Sequence, residues 1–177
     1  MNNLKIILTF VLQIMAVTAH ATPSNISSHQ YYKESVNLIE KLGRKEVIKQ
    51  IVRMQRKQLR DYGGALDDYT TVTGVTGGDY GLRQNIKIDV DKVLSDYSQS
   101  LIGKEKRKMS KEDVYQMIKK DGVIYELQVN TLCSSPSTRG VIDSGINYVN
   151  DYYDPRMNYI GEIDVGKSIC LSFDLHE

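Results

Sequence analysis

The sequence predicts an α+β fold in which N-terminal helices pack on a small C-terminal antiparallel sheet held by one disulfide. Three observations carry this. Apolar residues recur at helical spacing from Tyr32 to Leu59 and again from Val90 to Ile118. Beyond Gly122 the spacing shortens to alternation. The chain has two cysteines, Cys133 and Cys170, both in that alternating part.

The chain opens with a short polar start, Met1 to Lys5. An apolar run follows from Ile6 to Val17, interrupted by Thr9 and Gln13, and then the small-x-small triplet Ala19-His20-Ala21. This is the anatomy of a secretory signal peptide, and the run is too short to span a membrane comfortably. The expectation is therefore removal of residues 1–21 and a single exported domain over 22–177, periplasmic or secreted, with 22–28 a mobile leader. Thr22 rather than cysteine after the cleavage point argues against a lipoprotein anchor. No second run reaches membrane-spanning length, so the mature chain is expected to be soluble.

Tyr32, Val36, Ile39 and Leu42 make one apolar helix face. After Gly43 the pattern resumes with Val47, Ile48, Ile51, Val52 and Leu59. Two helices are expected, over 29–42 and 44–61, with Gly43 closing the first. Residues 63–85 hold Gly63, Gly64, Gly74, Gly77, Gly78 and Gly81 among Thr, Asp and Tyr, and read as a long functional loop or an inserted hairpin. They match neither phosphate-binding glycine motif. Val90, Val93, Leu94, Tyr97 and Leu101 mark a third helix. Ser110-Lys111-Glu112-Asp113 reads as a capping box opening a fourth, which should bury Val114, Met117 and Ile118 before Gly122.

Val123, Tyr125, Leu127 and Val129 alternate as a strand would. Ser135-Pro136 then starts a short helix through Ile142 that closes at Gly145. Ile146–Tyr153 and Tyr159–Val165 read as antiparallel strands across the turn 154–158, where Pro155 takes the favoured second position. Phe173 and Leu175 suggest a last short strand.

The full chain carries 23 basic and 22 acidic residues. Near-neutrality argues against a general polyanion binder, but the charge is segregated. Residues 33–60 hold nine Lys/Arg against three acids, whereas 121–177 hold three against nine. Solvated faces account for such segregation. The sharper alternative is a basic helical surface, Arg53, Arg56, Lys57 and Arg60, for an anionic partner. No aromatic residue is regularly interleaved with it, so nucleic acid is not the expected ligand.

In an exported chain two cysteines are expected to pair. The Cys133–Cys170 bond would close a loop holding the short helix and the hairpin, worth about 3–4 kcal/mol in the chain-entropy picture. A redox enzyme would need C-x-x-C or a lone activated thiol, and neither is present. Zinc would need more histidine than His29 and His176 supply.

The segment Leu132-Cys133-Ser134-Ser135-Pro136-Ser137-Thr138-Arg139-Gly140-Val141-Ile142-Asp143-Ser144-Gly145, the Tyr-rich strand Tyr148–Tyr153 and the return Ile160-Gly161-Glu162-Ile163-Asp164-Val165 up to Cys170 resemble the tail of small exported bacterial proteins of the quorum-sensing-regulated virulence factor family. The resemblance covers about residues 123–170 and does not include 63–85. It implies an exported α/β-type protein without established catalytic residues.

A Ser–His–Asp triad has no suitable base, since His29 sits at a helix start, and no G-x-S-x-G motif is present. Asp67, Asp68 and Asp79, or Asp151 and Asp154, could serve a carboxylate enzyme, although turn acids usually cap amides. Asp151, Asp154 and Asn158 lack the pattern of a calcium loop. Twelve tyrosines, two phenylalanines and no tryptophan give the chain its aromatic character. Tyr148, Tyr152, Tyr153 and Tyr159 concentrate on one hairpin, where they serve either as core or as a partner surface. The expected function is non-enzymatic binding of a protein or envelope component, with a virulence or envelope association following from the resemblance alone. A periplasmic inhibitor or immunity protein and a cell-wall hydrolase are the alternatives. No cofactor and no metal is expected.

Overall fold

The computed structural model describes residues 28–100 and 109–174. The expected signal peptide, residues 22–27 of the leader, and Leu175 lie outside the described residues. Helix α1 (Ser28–Leu42) and helix α2 (Arg44–Tyr62) follow one another as the periodicity predicts. Gly43 separates them at φ +80°, its N–H donating to the Ile39 carbonyl at 2.8 Å. That left-handed conformation favours glycine, and it ends α1 while letting α2 leave in a new direction. Helix α2 buries Val47, Ile48 and Val52.

The glycine-rich stretch folds as strands β1 (Thr70–Gly77) and β2 (Gly81–Ile88), an antiparallel hairpin. The expected sheet is corrected here. It is four-stranded, ordered β1-β2-β3-β4, and half of it precedes residue 89. It is mixed, because β2 runs parallel to β3 (Asn147–Tyr153), which in turn pairs antiparallel with β4 (Tyr159–Val165). The parallel pair needs a long crossover. It passes through α3 (Val90–Ser100), α4 (Lys111–Gln116), α5 (Val123–Ser134) and α6 (Pro136–Asp143). Helices therefore lie on both sides of β1–β2 in the sequence, and are not all N-terminal.

Two further elements differ from expectation. Residues 123–130 are not a strand but the start of α5. Its inward residues are Gln128, Val129, Leu132 and Cys133, with Ile124 and Tyr125 partly buried behind them. That is a helical stripe of adjacent pairs four apart, and the buried polar Gln128 disguises it as alternation. Phe173 belongs not to a final strand but to α7 (Lys167–Asp174). The capping box is formed as expected. Ser110 Oγ accepts from the Asp113 N–H at 3.2 Å, and Asp113 Oδ2 accepts from the Ser110 N–H at 2.8 Å.

One apolar core joins these parts. Leu82, Ile86 and Ile88 from β2, Ile163 and Val165 from β4, Ile118, Ile142 and Ile146 are almost completely buried. Helix α1 lies along α6, where Gly140 permits contact: a Cβ there would sit 2.8 Å from the Tyr32 carbonyl oxygen. Across this contact Tyr32 OH donates to Asp143 at 3.1 Å. The Cys133–Cys170 disulfide forms, with Cα atoms 5.2 Å apart. It joins α5 to α7, so it staples two helices beneath the sheet rather than the ends of a β-ribbon.

Candidate functional site

The alternation of β2 sets the two faces of the sheet. Leu82, Gln84, Ile86 and Ile88 are buried, while Arg83 is exposed and Asn85 and Lys87 are half-buried. Cross-strand register carries the division outward. Leu82 stands level with Tyr148 and Val165, Gln84 with Val75, Asn150 and Ile163, and Ile86 with Val72, Tyr152 and Gly161. This is the inner face, on which helices pack: Gly77 lies against Ile48 and Val52 of α2, and Gly161 lies 3.6 Å, as a built Cβ, from Ile118. The outer face carries Arg83, Val149 and Asp164 in one row and Asn85, Asp151 and Glu162 in the next. Lys87, Tyr153 and Tyr159 make the third.

A charged network occupies the centre of the outer face. Arg83 Nη1 donates to both carboxylate oxygens of Asp151, at 2.7 and 2.6 Å, and lies 3.6 Å from Glu162. The Asp151 side chain is 4 % exposed and that of Arg83 47 %. A carboxylate so enclosed requires a charged partner, and the guanidinium supplies one from the neighbouring parallel strand. The hydrogen bond to Asp151 in turn raises the Arg83 pKa, desolvation opposing it. Asn147 Nδ2 donates to Asp164 at 3.0 Å. Beside this network the Tyr153 and Tyr159 rings meet edge to face, with centroids 5.8 Å apart and planes at 70°. Tyr159 is 57 % exposed. Its hydroxyl is pushed above the ordinary phenol value by desolvation first and by the Glu162 and Asp151 charges after it.

The four hairpin tyrosines thus divide by face. Tyr152, 2 % exposed, is a core residue, and Tyr148 on the same face is partly buried. Burial pushes the Tyr148 hydroxyl up to about 12 and that of Tyr152 higher still. Both point to the inner face, whereas Tyr153 and Tyr159 share the outer face. The basic residues lie elsewhere. Arg53, Lys57 and Arg60 are exposed along α2, which packs on β1 and on the inner face. Arg56, also exposed, turns its Nε to the Val75 carbonyl at 2.8 Å. Since β1 and β4 are opposite edges, three strand spacings of about 4.8 Å separate them. The two predicted clusters do not form one site.

The acids offered to catalysis are mostly held in structural bonds. Asp67 accepts from the Tyr69 and Thr70 amides and from the Thr70 hydroxyl. Asp79 pairs at the surface with Lys45 at 3.4 Å. Asp154 accepts from the amides of Arg156 and Asn158 and from Asn158 Nδ2, each at 2.8 Å. Among the described residues no group of three or more His, Cys, Asp or Glu could hold a metal ion. None of their helices is long and apolar enough to cross a membrane.

Arg83 is the functional candidate that the sequence reading missed. It lies in the glycine-rich stretch that reads as a long functional loop or an inserted hairpin, and the structure bears out the hairpin. The signal was present in the Leu82, Gln84, Ile86, Ile88 alternation, which places Arg83 on the opposite face.

No protein-family model and no curated protein sequence matches the chain. Solved structures share its general outline. One is a protein of Pseudomonas aeruginosa described as secreted, 8 % identical, with a TM-score of 0.47 over 72 % of this chain and 92 % of that one. Another is the pilotin of the Vibrio vulnificus type 2 secretion system, 12 % identical, TM-score 0.46, covering 72 % and 94 %. A third is the type II secretion system pilotin of Vibrio cholerae, 13 % identical, TM-score 0.45, covering 72 % and 95 %. Likenesses of this strength assign the chain neither a family nor a partner.

Proposed function

We propose that this is an exported, non-enzymatic protein that binds a protein or envelope component, in the periplasm or outside the cell, through the outer face of its sheet. The observation that carries the reading is the outer face itself, where the exposed Tyr159, stacked edge to face on the half-buried Tyr153, borders an arginine–carboxylate network. Tyrosine and arginine are the residues that partner surfaces favour, because each offers a large contact area with directional polar atoms. The exposed cations Arg53, Lys57 and Arg60 on α2 form a secondary surface. A virulence or envelope-accessory role belongs to the same proposal and draws on the tail resemblance. A periplasmic inhibitor would use this face equally well. A carboxylate-dependent hydrolase has less support, since Asp67, Asp151 and Asp154 are already bonded within the fold.

The test is a photo-reactive residue placed at position 159 of the full chain in cells, with position 38 on α1 as control. The expected result is a discrete heteromeric adduct from position 159 alone. Equal adducts from both positions, or none, would remove the outer face as the binding surface. Turnover of cell-wall fragments that is lost in Asp67→Asn or Asp79→Asn would overturn the non-enzymatic reading.

A further inference from the structure

The two edges of the sheet are finished differently. Along β1 several outward backbone groups are occupied. The Val72 N–H donates to Gly64 O at 2.7 Å, the Thr70 carbonyl accepts from the Leu66 N–H at 2.9 Å, and Ala65 bridges Thr71. The Val75 carbonyl takes Arg56 Nε at 2.8 Å. A loop and one guanidinium therefore obstruct the 70–75 part of this edge against an added strand. At the other edge β4 neighbours β3 alone. Among the described residues, no backbone–backbone hydrogen bond outside the β3 ladder falls on Tyr159–Val165. The outer-face side chains of β4 are Tyr159, Glu162 and Asp164, all exposed.

We propose that β4 receives an extended, cationic segment of a partner protein, which adds to the sheet as a fifth strand. The inference rests on the outer-face reading above and supplies its binding mode. An incoming strand would gain affinity from main-chain hydrogen bonds and selectivity from alternate side chains. Side chains on its outer side would stand beside Glu162 and Asp164, so lysine or arginine there is complementary. Those acids also choose between occupants. A second copy of this chain pairing through β4 would set Glu162 and Asp164 against their own counterparts, a like-charge arrangement that protects edges from self-association. The cationic ridge of α2 lies on the opposite side of the sheet order and cannot fill the edge of its own molecule. Tyr159 would flank the added strand and cover one of its side chains.

The experiment uses the full chain and a blocked eight-residue peptide of alternating lysine and valine, with hydrogen exchange followed by NMR. Slowed exchange of the 159–165 amides, with 70–77 unchanged, is the expected result. The double variant Glu162→Gln/Asp164→Asn should bind about tenfold more weakly, two exposed charge contacts being lost together. The same peptide with alternate amides N-methylated keeps its charge but cannot form the ladder, and should not protect β4. Three results would each overturn the proposal: no protection of 159–165 at millimolar peptide, equal binding by an alternating glutamate–valine peptide, or equal binding by the N-methylated peptide. If the position-159 adduct forms while β4 stays unprotected, strand addition falls and the outer-face reading survives. If the adduct fails as well, both fall.

Discussion

The two hairpins of the sheet are made of opposite materials. In the first hairpin β1 is built from threonine, valine and glycine and β2 from alternating apolar and polar residues, and the pair lies close under α2. Gly77 is the clearest sign, since a Cβ there would come within 2.5 Å of Ile48 Cγ2 and 3.1 Å of Val52 Cγ2. Its far edge is capped by Arg56 and by the 64–66 segment. β3–β4 is built from tyrosine and acids, with two rings on the core face and two on the outer face, and its far edge is uncapped among the described residues. Bulk is absent at Gly77, where α2 approaches the strand, and present at Tyr159, where the surface faces outward. The difference teaches that Gly77 and Gly81 of the first hairpin record close packing, while tyrosine density in the second serves two purposes at once.

The largest test of this contrast lies within the second hairpin. Tyr152→Ala removes a buried ring wedged beside Ile86 and Gly161, and should cost about 3–5 kcal/mol in urea unfolding. Tyr159→Ala removes an exposed ring and should change stability by no more than about 0.5 kcal/mol. Similar losses for the two would erase the division of the hairpin into a core face and an outer face.

A middle-sized effect tests the first hairpin. Gly77→Ala places a methyl against Ile48 and should destabilise by about 1–3 kcal/mol through overpacking. Ile48→Ala clears the obstructing methyl, so the double variant should be more stable than the sum of the single losses implies. Simple additivity would mean that Gly77 serves the turn and not the helix contact.

These positions also explain what could be read beforehand. Helices α1 and α2 were legible because their apolar residues recur on one face and a glycine separates them. The Ser110–Asp113 box and the β3–β4 hairpin were legible because each is specified by local chemistry, and the cysteine pair because an exported chain with two cysteines offers one pairing. The first hairpin was legible only as one of two alternatives, a long loop or an inserted hairpin. Its register shifts between Val72 and Gly74, a bulge that breaks the period-two pattern of β1 and leaves Thr73 out of phase. Helix α5 was misread because Gln128 occupies its buried stripe. Helix α7 is only eight residues long, too short for its Ile169, Cys170 and Phe173 spacing to assert itself. At the site, Tyr153 and Tyr159 could be nominated from composition but not separated from Tyr148 and Tyr152. The Arg83–Asp151 pair spans 68 positions and exists only because β2 and β3 run parallel, a consequence of the crossover that no local pattern announces.

The smallest effect concerns the turn that joins β3 to β4 and so aims the tyrosine pair. Asp154 accepts from Asn158 Nδ2, from the Asn158 amide and from the Arg156 amide, and these bonds hold its carboxyl below its ordinary value of 3.8. A carboxyl lowered in the folded state stabilises the fold above its unfolded pKa, and that contribution is lost as pH falls through the lower folded value. The turn should therefore keep its geometry at pH 5 and loosen only below pH 4. Asn158→Ala removes the bond with the greatest effect, so the Asp154 titration followed by NMR should move back up toward 3.8. Met157, held at φ +64° within the same turn, is where the loosening should register first, as broadening or faster amide exchange. An unmoved Asp154 titration in that variant would mean that the side-chain amide does not secure the turn, and that the strand ends, through the Tyr153–Tyr159 contact, fix its shape instead.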